Sequence, residues 1–270
     1  MRLGTDRRRF GLMTGVYDEA ELYCGAFDFC VEAEINWLLQ QVPHVQRILE
    51  PMCGNARYGR AFAARGIEYV GLDRSRAMLA RAEVLSGMTL LEADARDFAI
   101  DGDPFDLACC PIDSIRHLSG DGEIARHLAC IHRHLRPGGH NVIEVELMRR
   151  DGENPLPPDT KSHWTIDQPD GTVIEASVRG ERFDLARRLM WERSIYRRLR
   201  DGVIIAEVDE LHEMRQITWD DLATLVAAAG FEIAAIHAHL SGNRRPRVEP
   251  GPHLENRAVN HYIFLRAGEP

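Results

Sequence analysis

The stretch that decides the fold is Leu49-Glu50-Pro51-Met52-Cys53-Gly54-Asn55-Ala56-Arg57. It begins as an apolar strand that ends in a carboxylate, turns through small residues, and enters a helix predicted from about Arg57 to Arg65. Such a turn lets the backbone approach a ligand closely, and the N-terminus of the helix offers free amide N–H groups. The stretch therefore predicts a ligand-binding turn at the carboxyl end of a strand.

Strand-like and helical segments alternate on both sides of this turn. The predicted strands cover residues 45–50, 67–73, 88–93, 105–110, 141–145, 231–239 and 260–266. Alternation of this kind is typical of a doubly wound α/β fold, so we expect a mostly parallel seven-stranded sheet. The pattern breaks at a proline-rich linker, residues 151–158, and continues with β-rich segments around the hairpin signals Asp170-Gly171 and Asp201-Gly202. These segments predict an antiparallel β cap.

The pattern divides the chain into four parts. We expect an N-terminal helical lid (1–44), a core (45–150), the β cap (151–215), and a closing helix with strands of the core (216–270). The closing helix begins at Thr218, a good N-cap, and ends at Gly230.

Composition limits the classes of partner. The 270 residues include 42 acidic and 33 basic side chains, a formal net charge of −9. This balance disfavours a protein that mainly neutralises nucleic-acid phosphates, and no segment reaches the roughly 18 continuous apolar residues of a membrane span. The six cysteines lack zinc-like spacing, so we expect reduced thiols in a cytoplasmic protein. We expect a small-molecule partner rather than nucleic acid or a membrane; the oligomeric state, including a homodimer, stays open.

Three carboxylates follow successive predicted strands. Glu50 ends the first strand, Asp73 ends the second, and Asp94 follows the third. Because open α/β sheets bind ligands at the carboxyl ends of their strands, we expect these side chains to converge on one crevice. The alternative for each single aspartate is an Asx-turn or a helix cap.

Taken together, these segments resemble the class I S-adenosylmethionine (SAM)-dependent methyltransferases. Leu49–Arg57 resembles the first motif of that family in its Glu-x-x-Cys-Gly-x-Gly-Arg form, and Gly71–Leu79 resembles the second, Gly-x-Asp-x-Ser-x-x-Met-Leu. Glu92–Ala95 is similar to the third motif, and Leu135–Gly139 is similar to the turn before strand five. Tyr17–Tyr23 resembles the lid of small-molecule methyltransferases such as glycine and amino-sugar N-methyltransferases.

The resemblance implies SAM as cofactor and S-adenosylhomocysteine as product. It implies that Glu50 and Gly54 frame the methionine end of SAM, that Asp73 takes the ribose hydroxyls, and that Asp94 and Ala95 meet the adenine. The implied cofactor-binding residues are Tyr17, Tyr23, Glu50, Met52, Cys53, Gly54, Asn55, Arg57, Asp73, Arg74, Met78, Asp94, Ala95 and Cys110, the last of these forming the floor near the sulfonium.

The acceptor end is less defined by the sequence. Asp113 and His117 are spaced i, i+4 and would share a face of a helix, with His117 as candidate general base and Asp113 as candidate anchor for an amine. The alternative is that Asp113 caps a short helix and His117 is solvated. Tyr196, Glu210 and His212 lie on two consecutive predicted cap strands, where they form either the acceptor pocket or ordinary cross-strand pairs.

We therefore expect a metal-independent transfer of a methyl group to an N or O of a small molecule. His127 and His134 share a helical face, but we interpret the helix as solvated rather than metal-binding. The alternatives are intramolecular cyclisation or lysis of SAM on the same fold, and a non-catalytic SAM-binding module. A nicotinamide oxidoreductase is disfavoured because Met52 and Ala56 stand where its loop needs glycine.

Overall fold

Helices and strands alternate along the chain in the order that the sequence predicts. The computed structural model describes residues 15–148, 161–240, 244–256 and 260–268. Its helices are α1 (Ala20–Ala26), α2 (Glu32–Gln41), α3 (Arg57–Ala63), α4 (Arg76–Leu79), α5 (Glu123–His134) and α6 (Trp219–Ala228), with 3-10 turns at Ser114–His117 and Pro252–Asn256. Its strands are β1 (Arg47–Pro51), β2 (Glu68–Asp73), β3 (Met88–Glu92), β4 (Phe105–Cys110), β5 (Leu135–Glu146), β6 (Lys161–Asp167), β7 (Val173–Asp184), β8 (Leu189–Arg200), β9 (Val203–Arg215), β10 (Phe231–Ala238), β11 (Arg247–Val248) and β12 (Asn260–Ala267).

The main sheet places the carboxyl ends of five parallel strands at one edge. The strand order is β11-β10-β12-β5-β4-β1-β2-β3. Strands β1 to β5 pair in parallel, whereas β12, β10 and β11 are antiparallel. All seven predicted strands form, and the two-residue β11 adds an eighth at the edge. The α/β fold class is confirmed, and with it the convergence of the loops that follow β1, β2, β3 and β4.

Both faces of the main sheet are covered, which is what makes the fold doubly wound. Ile48 and Leu49 are both fully buried although they are consecutive, because they point to opposite faces of β1. Leu49 packs in the cluster that includes Leu128 of α5, and Ile48 packs in the cluster that includes Ile35 of α2 and Phe62 of α3. The apolar residues of β1 therefore contribute to two hydrophobic clusters, one on each face of the sheet.

Both helix caps that the sequence predicts are present, whereas the turn predicted before strand five is not. Ser75 accepts a hydrogen bond from Met78 N at the start of α4, and Thr218 makes a reciprocal capping box with Asp221 at the start of α6. The expected turn before strand five is instead part of β5. Leu135 already pairs with Phe105, and the residues before His140 form a bulge in the ladder.

The antiparallel β cap is a four-stranded meander, β6-β7-β8-β9. Asp201 and Gly202 both have positive φ, 51° and 76°, as a two-residue hairpin that matches the twist of its strands requires. The linker predicted at residues 151–158 lies outside the described residues. The division of the chain at residues 44, 150 and 215 stays a prediction.

The lid helix α1 packs on the β cap. Trp164 of β6 donates its indole N–H to the carbonyl of Ala26, at 2.7 Å. A Cβ on Gly25 would lie 2.2 Å from Ile174 Cδ1, so only glycine lets α1 approach β7 this closely. In the described part of the chain, no helix is both long and apolar enough to cross a membrane.

Candidate cofactor and acceptor site

A cavity of about 420 Å³ lies at the carboxyl edge of the main sheet, beneath the lid and the β cap. Fifteen of the predicted site residues contribute to its wall, and these residues are Tyr17, Tyr23, Glu50, Met52, Cys53, Gly54, Asn55, Arg57, Asp73, Arg74, Met78, Asp94, Ala95, His117 and Glu210. The volume falls in the range of small-molecule and cofactor sites. Most of the predicted site residues therefore converge on one cavity, and their role in binding a cofactor stays a prediction.

The loop after β1 adopts left-handed backbone conformations at three positions. Met52, Gly54 and Ala56 have φ of 58°, 57° and 53°. Left-handed φ costs a residue with a Cβ roughly 1–2 kcal/mol. Ala56 stands where the family motif has glycine, and both Met52 and Ala56 stand where a nicotinamide-binding loop needs glycine. The loop thus keeps a glycine-like backbone without the glycines. At Gly54 a Cβ would lie 2.9 Å from Met78 Cε, so this position also needs the space.

Glu50 is a buried carboxyl group at the end of β1. Its side chain lines the cavity, the residue is 2% exposed, and it accepts a hydrogen bond of 2.6 Å from Tyr69 Oη. Burial raises the pKa of Glu50 from 4.5 to about 8, against the opposing effects of the Tyr69 hydroxyl and of Arg57. A positively charged ligand beside Glu50 would favour its ionised form.

Asp73 organises the loop from the end of β2. One carboxylate oxygen accepts the N–H of Gly54 and the other accepts the N–H of Ser75, both at 2.8 Å. Each oxygen has a second lone pair that can accept a ligand hydroxyl. Asp73 can therefore hold the loop and a ribose at the same time.

Asp94 follows β3 and is paired with Arg96. The Arg96 Nε lies 2.8 and 3.0 Å from the two carboxylate oxygens, and the Arg96 backbone N–H is also bonded to Asp94. These bonds lower the pKa of Asp94 to about 2. Arg96 also pairs with Glu123 of α5, and both residues line the cavity.

Three aromatic rings meet beside the cavity, one each from the lid (Tyr17), the core (His117) and the β cap (His212). Tyr17 Oη lies 3.0 Å from His117 Nε2, and the ring of His212 lies 5.6 Å from Tyr17 and 5.7 Å from His117. Burial, with the nearby His212, lowers the pKa of His117 to about 3, so its imidazole is neutral. Burial also raises the pKa of Tyr17 well above its ordinary value, so its hydroxyl is protonated. His117 is therefore not the solvated side chain of the alternative interpretation.

The predicted acceptor-pocket residues separate into different environments. Glu210 lines the cavity and accepts the backbone N–H of Val16, which ties the β cap to the lid. His212 is buried behind Tyr17 rather than on the cavity wall. Tyr196 is 2% exposed and packs on Tyr23 at 5.9 Å between ring centroids, so it belongs to the apolar contact between the lid and the β cap.

Besides Tyr196 and His212, two more predicted residues lie away from the cavity wall. Asp113 is not an acceptor anchor, because its carboxylate is committed to Arg116 and to the backbone N–H of Glu146. It has φ of 58° and starts a 3-10 turn, in which residues i and i+4 do not share a face, so it points away from His117. Cys110 is 1% exposed within β4, and the following Pro111 and Ile112 reach the wall instead.

Although Asp18, Ser75 and Ala93 lie within the motifs quoted above, thirteen wall residues were not predicted as site residues. They are Gly15, Asp18, Cys24, Phe27, Tyr58, Ser75, Ala93, Arg96, Pro111, Ile112, Ser114, Leu118 and Glu123. Tyr58 and Arg96 are direct neighbours of predicted residues and could have been found by extending the motifs. Glu123 could not, because only the packing of α5 brings it near Arg96.

The residues of the wall fit SAM. Three carboxylates, Glu50, Asp73 and Asp94, line a cavity of suitable size, which suits a positively charged nucleoside. No group of three histidine, cysteine or acidic residues that could hold a metal occurs among the described residues. The solvated-helix interpretation of α5 is wrong for His127, which is fully buried and lies 2.8 Å from the carbonyl of Ala95.

Comparisons with known proteins agree with this geometry. A family model described as a methyltransferase domain matches residues 48–139. The chain is 30% identical over 145 residues to a dTDP-4-amino-2,3,4,6-tetradeoxy-D-glucose N,N-dimethyltransferase of Saccharopolyspora spinosa. The aligned residues cover 50% of this chain and 58% of that protein. It is 28% identical over 154 residues to a dTDP-3-amino-3,4,6-trideoxy-alpha-D-glucopyranose N,N-dimethyltransferase of Streptomyces venezuelae, 51% of this chain and 64% of that protein. Both matches span less than two thirds of the relative.

One solved structure extends the likeness over the lid and the β cap. SAM-bound CalS10, an amino pentose methyltransferase from Micromonospora echinaspora, matches with a TM-score of 0.69 and 22% identity. The match covers 96% of this chain and 100% of that chain. The fold is therefore shared along almost the whole chain, including the parts in which the sequence resemblance was weaker.

Proposed function

We propose that this chain, a class I SAM-dependent methyltransferase, transfers a methyl group to the amino nitrogen of a small amino-sugar acceptor. The observation that supports nitrogen is the neutral Tyr17–His117 pair at the cavity wall, where Oη and Nε2 lie 3.0 Å apart. When bound, SAM supplies a methyl group that is already a strong electrophile. What this chain must add is an oriented lone pair and a site without water.

His117 is too weak a base to prepare a hydroxyl acceptor. With a pKa of about 3, its imidazole takes up a proton poorly at neutral pH, whereas a hydroxyl must lose its proton to become a good nucleophile. A neutral amine already has a lone pair and needs no strong base. The electrostatics of the site therefore favour N- over O-methylation.

Tyr17 and Glu210 have complementary roles toward an amine. The Tyr17 oxygen can accept an N–H of the acceptor, which leaves the nitrogen lone pair free to point at the methyl group. The nitrogen becomes positively charged as the new bond forms, and the Glu210 carboxylate on the cavity wall stabilises that charge. The lid contact through Val16 holds Glu210 in place.

An amino sugar is the acceptor class that the comparisons support. The two dimethyltransferases and the amino pentose methyltransferase all carry amino sugars in their names, and the β cap that supplies Glu210 falls within the match to CalS10.

All six cysteines are unpaired, which supports the predicted cytoplasmic location.

The proposal is tested by incubation of the chain with SAM and matched acceptor pairs. A nucleotide-linked amino sugar and the same sugar with a hydroxyl in place of the amine are compared, with mass spectrometry of sugar and nucleoside products. We expect S-adenosylhomocysteine and an N-methylated sugar from the amine alone. Methylation of the hydroxyl sugar alone contradicts the choice of nitrogen, and methylthioadenosine from SAM alone indicates the cyclisation or lyase alternative.

The role of His117 has its own test. Because its pKa is about 3, the profile of kcat/KM between pH 6 and 9 should show no histidine titration near pH 6.5. The groups that titrate in this range are the acceptor amine and Glu50, with a pKa of about 8. A titration near pH 6.5 that disappears in His117→Asn would show instead that His117 acts as a general base. His132→Asn is the matched control, because His132 is not among the residues of the cavity wall.

A further inference from the structure

One face of helix α5 is bonded along its length to the segment that follows β3. The side chains of Glu123, His127, Cys130 and His134 are spaced i, i+4, i+7 and i+11, so they share one face of the helix. The segment they contact, residues 94–100, has no regular secondary structure beyond one isolated bridge. It contains Asp94 and Ala95 of the cavity wall.

The contacts reach backbone groups of the segment at three points. His127 Nδ1 lies 2.8 Å from the carbonyl oxygen of Ala95. The Cys130 thiol lies 3.4 Å from both the N–H and the carbonyl of Phe98, and it can accept from the first and donate to the second. His134 Nε2 accepts the N–H of Ile100 at 3.2 Å.

The hydrogen-bond partners fix the protonation of both histidines. Because a carbonyl can only accept, His127 must carry its proton on Nδ1. His134 Nδ1 likewise donates to the carbonyl of Cys130 at 2.7 Å, which leaves its Nε2 free to accept. Burial lowers the pKa of His127, in agreement with a neutral ring. Both rings therefore act as neutral hydrogen-bond groups.

Side chains add to the backbone contacts at both ends of the segment. Glu123 pairs with Arg96, which in turn binds Asp94. The ring of His134 stacks on Phe98, with 4.7 Å between centroids. The segment has no ladder partners of its own along most of its length, so the face of α5 supplies the bonds that a strand would otherwise supply.

We propose that this face of α5 positions residues 94–100 for recognition of the adenine of SAM, with His127 as the central positioning residue. The proposal rests on the placement of adenine at Asp94 and Ala95. His127 holds the carbonyl of Ala95, and the N–H of the same peptide, that of Arg96, is bonded to Asp94 Oδ1 at 2.8 Å. The His127 bond therefore fixes the turn that carries Asp94 and Ala95 on the cavity wall. Loss of that bond should reduce the discrimination of adenine from other purines and not only the stability of the fold.

The test compares two ligands and three variants by calorimetry. The ligands are S-adenosylhomocysteine and its inosine analogue, in which an oxo group replaces the amino group of adenine. In His127→Leu we expect the Kd for S-adenosylhomocysteine to rise about tenfold. We also expect the ratio of the Kd for S-adenosylhomocysteine to the Kd for the inosine analogue to approach one. His127→Asn keeps an N–H near the position of Nδ1, so its Kd for S-adenosylhomocysteine should stay within about twofold of that of the unsubstituted protein.

His132→Leu is the matched control, since His132 lies on the same helix but packs on Phe231 at 5.0 Å. It should leave the ratio of the two Kd values unchanged. Should His127→Leu fail to fold, His134→Leu carries the same test, with His134→Gln as its conservative partner. An unchanged ratio in the leucine variants overturns the inference alone, whereas failure of the unchanged chain to bind S-adenosylhomocysteine overturns the cofactor assignment as well.

Discussion

Replacing Glu50 by glutamine should remove the pH dependence that this buried carboxyl group gives to the free energy of unfolding. The folded protein holds Glu50 with a pKa of about 8, and the ordinary value is 4.5. Below pH 4.5 the carboxyl group is protonated in both states and contributes no pH dependence. Between pH 4.5 and 8 only the unfolded chain loses the proton, so the free energy of unfolding falls as pH rises.

The magnitude follows from the two pKa values. At about 1.4 kcal/mol for each tenfold change in a protonation equilibrium, their difference corresponds to a loss of up to about 5 kcal/mol above pH 8. Glutamine has a similar shape and no charge, and its amide oxygen can still accept the Tyr69 hydroxyl. We therefore expect Glu50→Gln to equal the unchanged protein near pH 5 and to exceed its stability by several kcal/mol at pH 8.5.

Urea unfolding at half-unit steps from pH 5 to pH 9 measures this difference directly. Glu92→Gln, which removes a half-exposed carboxylate at the end of β3, is the control, and its stability curve should run parallel to that of the unchanged protein. Parallel curves for Glu50→Gln as well would refute the reasoning, because burial of Glu50 would then carry no energetic penalty.

Three further predictions follow from single contacts. Tyr17→Phe removes the hydroxyl beside His117 and should lower kcat by about tenfold or more with little change in the Kd for SAM, measured by steady-state kinetics and calorimetry. Asp73→Ala removes the acceptor for the N–H groups of Gly54, in the loop after β1, and of Ser75, at the start of α4, and should weaken SAM binding by about 1–3 kcal/mol; unchanged affinity would contradict the ribose assignment. Ala56→Gly relieves a φ of 53° and should raise the free energy of unfolding by about 1 kcal/mol in urea, whereas a lower value would show that the left-handed backbone is not strained.

Local sequence was sufficient for the parts of the site that depend on chain order. Glu50, Asp73 and Asp94 each follow a strand, and parallel strands bring their carboxyl ends to one edge whatever the helices between them contain. The caps at Ser75 and Thr218 are equally local, because a cap needs only the residues of one helical turn.

The acceptor end could not be predicted in the same way. Asp113 and His117 have the spacing of a helical pair, yet the left-handed φ at Asp113 and the salt bridge to Arg116 turn the aspartate away. Tyr196 lies on β8, next to the strand of Glu210, and Tyr23 of the lid covers it. His212 lies on β9, the strand of Glu210, and Tyr17 of the lid covers it. Which side chain of a strand face reaches a cavity is set by what packs on that face.

The sequence by itself determined the succession of strands along the chain, the loop after β1, and a carboxylate at or just past the end of each of the first three strands, because these follow from short-range patterns. Tertiary structure alone decided the protonation of Glu50 and His117, because burial in the assembled core sets the cost of their charges. It also decided that His127 and His134 of α5 bind the 94–100 segment, since that contact joins residues about 30 positions apart in the chain.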